Sequence, residues 1–396
     1  MKKKFANFMT SFSHSAKKTF TSNSAHKAYS SIACVIFGLL IGFLIMVCLS
    51  PGDAFYDFGM MISGGLKYYE LEGFGNILAT MAPLLCCGVG IIFAYKTGIF
   101  NIGAAGQYVL GSFGAIVFAL QFKQHWTVCV LMAMLFGALW AIIPALLKVF
   151  CNVNEVISGI MLNWIGLFFV NYSYQTYLYD IVDVENGSKT FVIASKSPIS
   201  CLPNFGADTS VIGNTFSCAF LIAIVVAIIA FILMERTTFG YQLKASGYNR
   251  HATKYAGMNA KKNAIITMAI SGAVIGLGAA LYYLAGVEEW STISSKVLPQ
   301  VPWNGIIVAF IAQLNPIGAI FASGFLSIIS VGSTATSQSI FPKEISDLIT
   351  AIIVYLSGLT AITVRFIPWV KSKLKKKKHG EPQEMALSVE DTKGGK

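Results

Sequence analysis

Apolar runs recur along nearly the whole chain, separated by short polar stretches, and most approach the ~20 residues that a helix needs to cross a bilayer core of roughly 30 Å. The first covers residues 30–50. Further runs cover 76–95, 107–122, 126–147, 156–174, 214–234, 263–286, 304–314, 318–332 and 346–367. This pattern predicts an all-α polytopic membrane protein with about ten transmembrane helices. The first run reads as a retained helix, because its polar leader and apolar stretch are both long for a signal sequence and Cys48-Leu49-Ser50-Pro51 is a poor cleavage site. The run 304–314 is short for a straight crossing, with Pro302 before it and Asn315-Pro316-Ile317-Gly318 after it. Two half-length or tilted helices meeting at that turn would suit a solute path. Gly38 and Gly42, and then Gly272, Gly276 and Gly278, predict close helix packing.

Composition agrees with the pattern. Of 396 residues, 55% are apolar and 12% charged, against roughly 25% charged in soluble domains; mean hydropathy is +0.66. The net charge of +11 is clustered, with lysines at 2, 3, 4, 17, 18 and 27 before the first run and at 371, 373 and 375–378 after the last. Lys/Arg-rich flanks stay cytoplasmic during insertion, so both termini are expected inside and a nucleic-acid role is not. The expected organisation is a basic cytoplasmic segment at 1–29, a transmembrane domain at 30–367 and a basic, then disordered, tail at 368–396. Within the domain, 175–213 reads as an extracytoplasmic loop. The loop 235–262 reads as cytoplasmic, since it holds Arg236, Lys244, Arg250, Lys254, Lys261 and Lys262 against Glu235 alone.

The sequence offers little catalytic chemistry. The eight cysteines match no disulfide or metal-ligand spacing and lie mostly in apolar runs, so packing is their expected task. Gly187-Ser188-Lys189-Thr190 is not a Walker A loop. Glu155, Glu235, Glu344 and Asp347 fall at helix ends, with no Asp, Glu or His well inside a predicted crossing. A chain without an internal means of harnessing energy is a passive pore or is driven by another subunit. No cofactor, metal site or enzymatic activity of its own is expected.

Two segments interrupt this plain pattern. Lys96–Gln107 puts Gly98, Gly103, Gly106, Asn101 and Gln107 between two apolar runs, as either a cytoplasmic connector or non-helical backbone lining a path. In 235–262, residues Asn249–Ala256 predict a short helix with Asn249 as N-cap and Gly257 as C-terminal stop. Such a helix, exposing Ala252, Tyr255 and Ala256, could dock into a partner's groove, or lie on anionic lipid through Arg250 and Lys254.

The stretches Gly98–Gln107 (GIFNIGAAGQ), Asn154–Asn163 (NEVISGIMLN) and Thr238–Gly286 together resemble the permease subunits of bacterial ABC importers, in the nucleoside branch of the ribose and branched-chain amino acid permease family. The likeness covers roughly residues 30–367; the family pattern usually carries Glu where Ala105 stands here. The resemblance implies a plasma-membrane importer whose ATP and Mg²⁺ are used by a separate cytoplasmic ATPase. It also implies a second, related permease chain and an extracytoplasmic solute-binding lipoprotein. The ATPase-coupling helix would fall on Tyr248–Gly257, with Tyr248, Asn249, Ala252, Tyr255, Ala256 and Gly257 at the contact. Asn101, Gln107, Asn163, Asn304 and Gln313 are the candidates for hydrogen-bonding a passing nucleoside weakly enough to release it. A simple-sugar importer and a stand-alone channel are the alternatives.

Overall fold

The computed structural model describes residues 23–64, 66–185, 188–204, 217–292, 297–336, 345, 347–353, 355 and 356. Among them, seven helices have the length and apolar character of membrane spans, and Ala104–Leu120 and Gln300–Ile311 are shorter apolar helices. The expected count of ten thus becomes seven plus two, and most of the tenth run, 346–367, lies outside the described residues. The 1–22 and 357–396 segments, with the basic clusters there, lie outside them as well.

In chain order the helices are α1 (Asn23–Leu49), α2 (Ala54–Ile62), α3 (Leu66–Lys96), α4 (Ala104–Leu120), α5 (Trp126–Cys151) and α6 (Glu155–Thr176). A two-stranded antiparallel hairpin follows, β1 (Val182–Asp183) on β2 (Lys189–Thr190), and then the one-turn α7 (Ile193–Lys196). The chain continues with α8 (Ala219–Arg236), α9 (Thr238–Tyr248), α10 (Arg250–Tyr255), α11 (Ala260–Tyr283), α12 (Gln300–Ile311) and α13 (Pro316–Thr336). The local stops and starts follow from sequence. Asn154 Oδ1 accepts the Val156 N–H at 2.8 Å to cap α6, and Asn259 Oδ1 accepts the Lys262 N–H at 3.0 Å to cap α11. Asn315 does the same for α13 through the Ile317 N–H, with Pro316 at the first helical position. α2 and the first ten residues of α3 were expected as loop; their aromatic and charged residues hide the helical period from a hydropathy reading.

The fold divides into two compact units. Among the described residues, those within 41–350 form one, and 23–40 with 351–353, 355 and 356 form the other. In the smaller unit Gly38 lies against Ile353, and in the larger Gly42 lies against Ile349, so the GxxxG pair of α1 is used for close packing in each.

In the larger unit α3 and α11 are the inner helices. A Cβ on Gly276 would strike the Ala133 carbonyl of α5, and one on Gly272 the Gly137 carbonyl and the Ala141 side chain. On the next face of α11, a Cβ on Gly111 of α4 would come within 2.6 Å of the Gly276 Cα. Gly90 and Gly278 bring α3 equally near α11, and Gly88 and Gly305 bring α3 and α12 together over Cys87 and Val308. The buried Cys86 and Cys87 are packing residues here. The outer helices show the opposite face: Leu131, Leu135 and Leu139 of α5, Ile157, Met161, Ile165 and Phe168 of α6, and Val225, Ile228 and Ile232 of α8 are exposed at helical spacing. Glycines at the inner helix contacts and large apolar residues on the outer faces distinguish this from a water-soluble bundle, because lipid solvates the outward side chains and close backbone contact holds the interior.

The seam between α5, α4 and α11 leaves no room for side-chain growth. Gly276→Leu is expected to cost about 3 kcal/mol, the upper part of the overpacking range. The readout is loss of monodisperse protein and a lower melting midpoint in detergent, with Gly59→Ala, whose added methyl meets open space, as the control that does not fall.

Candidate functional site

Between α3 and α4 the chain leaves the helical path from Thr97 to Gly103. Gly98 makes the turn possible at φ +76, and Thr97 Oγ1 donates to the Ala94 carbonyl at 2.7 Å to close the end of α3. Non-helical backbone buried among spans must find partners inside the protein, and here Asn163 bonds the backbone while Asn101 and Gln107 fix the turn through side-chain bonds. Asn101 and Gln107 bond each other reciprocally at 2.8 and 2.9 Å, and the second Asn101 N–H reaches Ser271 Oγ of α11 at 2.9 Å. Ser271 Oγ donates onward to the Gly90 carbonyl of α3 at 2.7 Å. Asn163 of α6 accepts the Gly106 N–H at 2.7 Å and donates to the Ile102 carbonyl at 3.1 Å. The three amides are buried, so one polar knot joins α3, α4, α6 and α11.

A cavity of about 460 Å³ lies at the far end of the bundle from the 235–262 loop, within the roughly 300–1,000 Å³ range of small-molecule sites. Separation along α11 from Ala260, beside the loop, to Tyr283, at the cavity, is about 35 Å at 1.5 Å per residue. Its polar walls include the amides of Asn76 and Asn304 and the carboxylates of Glu288, Glu289 and Asp347. Its aromatic walls are Tyr108, Tyr282, Tyr283 and Trp290. Tyr282 donates to Glu288 Oε2 at 2.8 Å, Trp290 Nε1 donates to Asn171 Oδ1 at 3.0 Å, and Lys189 lies 3.9 Å from Glu289. Among the described residues, no Lys, Arg or His lines it.

Of the five residues expected on a solute path, the structure brings Asn304 to this cavity. Asn101, Gln107 and Asn163 are outside its lining for a physical reason: their donors and acceptors are committed to each other, to Ser271 and to backbone. Gln313 sits, half-buried and at φ +51, in the turn that follows α12. Sequence reasoning missed Tyr108, Tyr283, Trp290, Asn76 and Ser271. Each is a polar or aromatic residue in or beside an apolar run; the first four converge on the cavity from four separate segments of the chain, and Ser271 joins Asn101 at the turn.

At the other end, the segment expected to form one short helix forms two. Thr237 Oγ1 accepts the Gly240 N–H at 3.0 Å to start α9, which had been expected as irregular loop. Asn249 Oδ1 accepts the Ala252 N–H at 3.0 Å to start α10. Gly257, at φ +75, ends it with bonds from its N–H to the Lys254 carbonyl and from the Met258 N–H to the Thr253 carbonyl, the paired closure of a left-handed stop. Thr253 faces inward, donating to the Asn249 and Ala245 carbonyls. Ala252, Tyr255, Ala256 and Gly257 face outward, as does Tyr248; Tyr255 is 95% exposed and Tyr248 89%.

This loop is braced against the spans. Glu235 bonds Lys96 at 2.7 Å and Lys244 at 2.9 Å, Asn263 donates to Ser246 Oγ at 2.8 Å, and Gly247 touches the backbone of Thr97 and Gly98 so closely that a Cβ on Gly98 would fall 2.8 Å from its Cα. The exposed helix is therefore tied to the same turn that the amide knot holds. Beside it, a second hollow of about 640 Å³ is lined by Lys148, Lys254 and Lys261 among others.

A bundle of membrane-spanning helices with a polar and aromatic cavity at one end and an exposed, braced helix at the other defines a membrane permease. The chain belongs to the family described as the branched-chain amino acid transport system permease component, whose pattern matches residues 73–358. It is 28% identical over 357 residues to the nucleoside ABC transporter permease protein NupB of Lactococcus lactis, covering 88% of this chain and 96% of that one. It is 30% identical over 352 residues to the guanosine ABC transporter permease protein NupP of Bacillus subtilis, covering 87% and 96%. The glucose ABC transporter permease protein TsgB13 of Haloferax volcanii is 24% identical over 336 residues, covering 82% and 85%. No solved structure matches the chain.

The knot is expected to be structural in its first effect. Asn163→Ala strands the Gly106 N–H and the Ile102 carbonyl, each worth about 1–3 kcal/mol when buried without a partner. A lower melting midpoint is the check, and a variant as stable as the parent would refute the assigned role.

Proposed function

We propose that this chain is the membrane-spanning subunit of an ATP-driven importer in a bacterial cell membrane, and that it passes nucleosides inward without altering them. The observation that carries this is the likeness, over 88% and 87% of the chain, to relatives named as nucleoside and guanosine permeases, 28% and 30% identical. The cavity supports it, since aromatic faces and uncharged amides suit a base and a ribose. ATP and Mg²⁺ belong to a separate ATPase that docks on Tyr248, Asn249, Ala252, Tyr255, Ala256 and Gly257. The remaining partners in this proposal are a second permease chain, an extracytoplasmic solute-binding lipoprotein and the lipid around the exposed apolar faces.

The work of transport then follows a physical route. An ATPase pushing α10 moves α9 with it, because Thr253 and the Ala245 carbonyl join the two. α9 bears on Thr97 and Gly98 through Gly247, and on α11 through the Asn263–Ser246 bond. α3, α4 and α11 wall the cavity, so a shift of these packed helices changes which end is open, a population shift biased from a remote site. Asn304 meets the solute in the cavity, while Asn101, Gln107 and Asn163 keep the turn rigid enough to transmit the push. The glucose permease among the relatives makes a simple sugar the competing cargo.

Cells carrying the complete transporter should accumulate labelled nucleoside in preference to glucose, and only with the ATPase present. Ala252→Arg, on an exposed position that leaves the fold intact, should abolish co-purification of the ATPase and reduce uptake to background. Uptake undiminished without the ATPase would instead identify a facilitator.

A further inference from the structure

The hollow of about 640 Å³ beside α10 takes no part in the transport route above. Three segments enclose it: Lys148 and Asn152 from the end of α5, Lys254 from α10, and Asn259 and Lys261 from the start of α11. Lys148 bonds Glu155. Lys254 and Lys261 are exposed, and among the described residues neither forms an ion pair. The sequence accounts for this excess, because residues 236–287, which supply α10 and α11, contain no Asp or Glu. The first turn of α11 lines the hollow too, and the backbone N–H groups of a first helical turn have no partner within the helix.

This basic hollow sits where an apolar surface ends. Leu131, Leu135, Leu139, Leu146 and Phe150 are all exposed on α5. At 3.6 residues per turn they share one face within about 100° of arc, a stripe about 28 Å long, close to the ~30 Å of a hydrocarbon core. Its last member, Phe150, is 70% exposed, and Lys261 Nζ lies 5.9 Å from the centre of its ring. Stripe and hollow therefore adjoin. An occupant that matches both has apolar chains and an anionic head; a free phosphate would use the hollow alone, and an uncharged phospholipid would leave the lysines without a counter-charge.

We infer that the hollow binds the headgroup of an anionic phospholipid, with the phosphate between Lys254 and Lys261 and the acyl chains against the α5 stripe. Basic hollows between spans suit such headgroups on the cytoplasmic side, where the leaflet carries acidic lipid, and this is the end of the bundle where the ATPase is proposed to dock. The two partners do not compete for α10. Lys254 stands two positions from both Ala252 and Ala256, about 160° round the helix from each, so the headgroup and the ATPase can be held on different faces. Bound there, the lipid ties α10 to the ends of α5 and α11, whichever solute is carried.

The test is thermal melting of the purified full chain in detergent with added lipid. Dioleoyl phosphatidylglycerol should raise the midpoint, whereas dioleoyl phosphatidylcholine and glycerol 1-phosphate, the head without the chains, should not. Lys254→Ala and Lys261→Ala should each raise the half-saturating phosphatidylglycerol about fivefold, and the double variant about 25-fold. Without lipid the double variant should melt with the parent, since both side chains are exposed; Lys123→Gln, beyond the opposite end of α5, should respond to lipid as the parent does. An equal rise with phosphatidylcholine, a rise with glycerol 1-phosphate alone, or a double variant that responds like the parent would overturn the lipid site. Phosphatidylglycerol should also stay bound when the ATPase is added, and its displacement would assign the hollow to the ATPase interface instead.

Discussion

Backbone that leaves the helical path among membrane spans has no water to bond, and the turn from Thr97 to Gly103 is where this protein meets that constraint. The solution is local and dense. Asn101 bonds Gln107 and Ser271, Ser271 bonds the Gly90 carbonyl, and Asn163 bonds the Gly106 and Ile102 backbone, drawing α3, α4, α6 and α11 to this turn. Remove the knot and the Gly106 N–H and Ile102 carbonyl lose their partners, and with them the fixed direction in which α4 sets out. Because α4 carries Tyr108 to the cavity, the turn positions the site without touching it. Gly98 and Gly247 place the exposed two-helix loop against the same turn.

Close packing makes this arrangement stiff. α11 meets α5 and α4 across glycines that bring backbone onto backbone, so its length is gripped along much of its course. Interfaces packed at this density shift between discrete arrangements more readily than they deform. One end of α11 is bonded to the exposed loop through Asn263, and the other ends at Tyr283 in the cavity wall. A single rigid element thus joins the place where a motor would push to the place where a solute would sit.

The cavity and the exposed helix differ in chemistry as their proposed tasks require. The cavity combines rings, amides and acids, a setting for a neutral solute held by several moderate contacts. The helix offers small Ala252 and Ala256 beside the prominent Tyr255, with Lys254, Lys261 and Lys148 lining the hollow alongside. Small residues permit close approach by a partner, a large aromatic anchors it, and the lysines favour an acidic surface.

Much of this was legible in sequence because the dominant signals are local. Run length and hydropathy located the spans. Asn249 and Gly257 marked the ends of α10 within one residue, since capping depends on the groups next to it. The GIFNIGAAGQ stretch stood out as an interruption, either a connector or path-lining backbone, because glycines and amides are rare between spans; it helped carry the family resemblance, and its last four residues, Ala104–Gln107, begin α4. α2, α9 and the early start of α3 were not legible, as their mixed composition hides the helical period. Nor could sequence tell that Asn101 and Gln107 bond each other and that Asn163 bonds the backbone of Gly106 and Ile102: an amide in an apolar run is equally suited to a protein partner or a solute until its neighbours are known. What the chain determined by itself was therefore a permease of the bilayer with an exposed helix awaiting a partner. Only the tertiary structure decided where the cavity lies and which side chains line it, because both depend on which distant segments the packed glycines bring together.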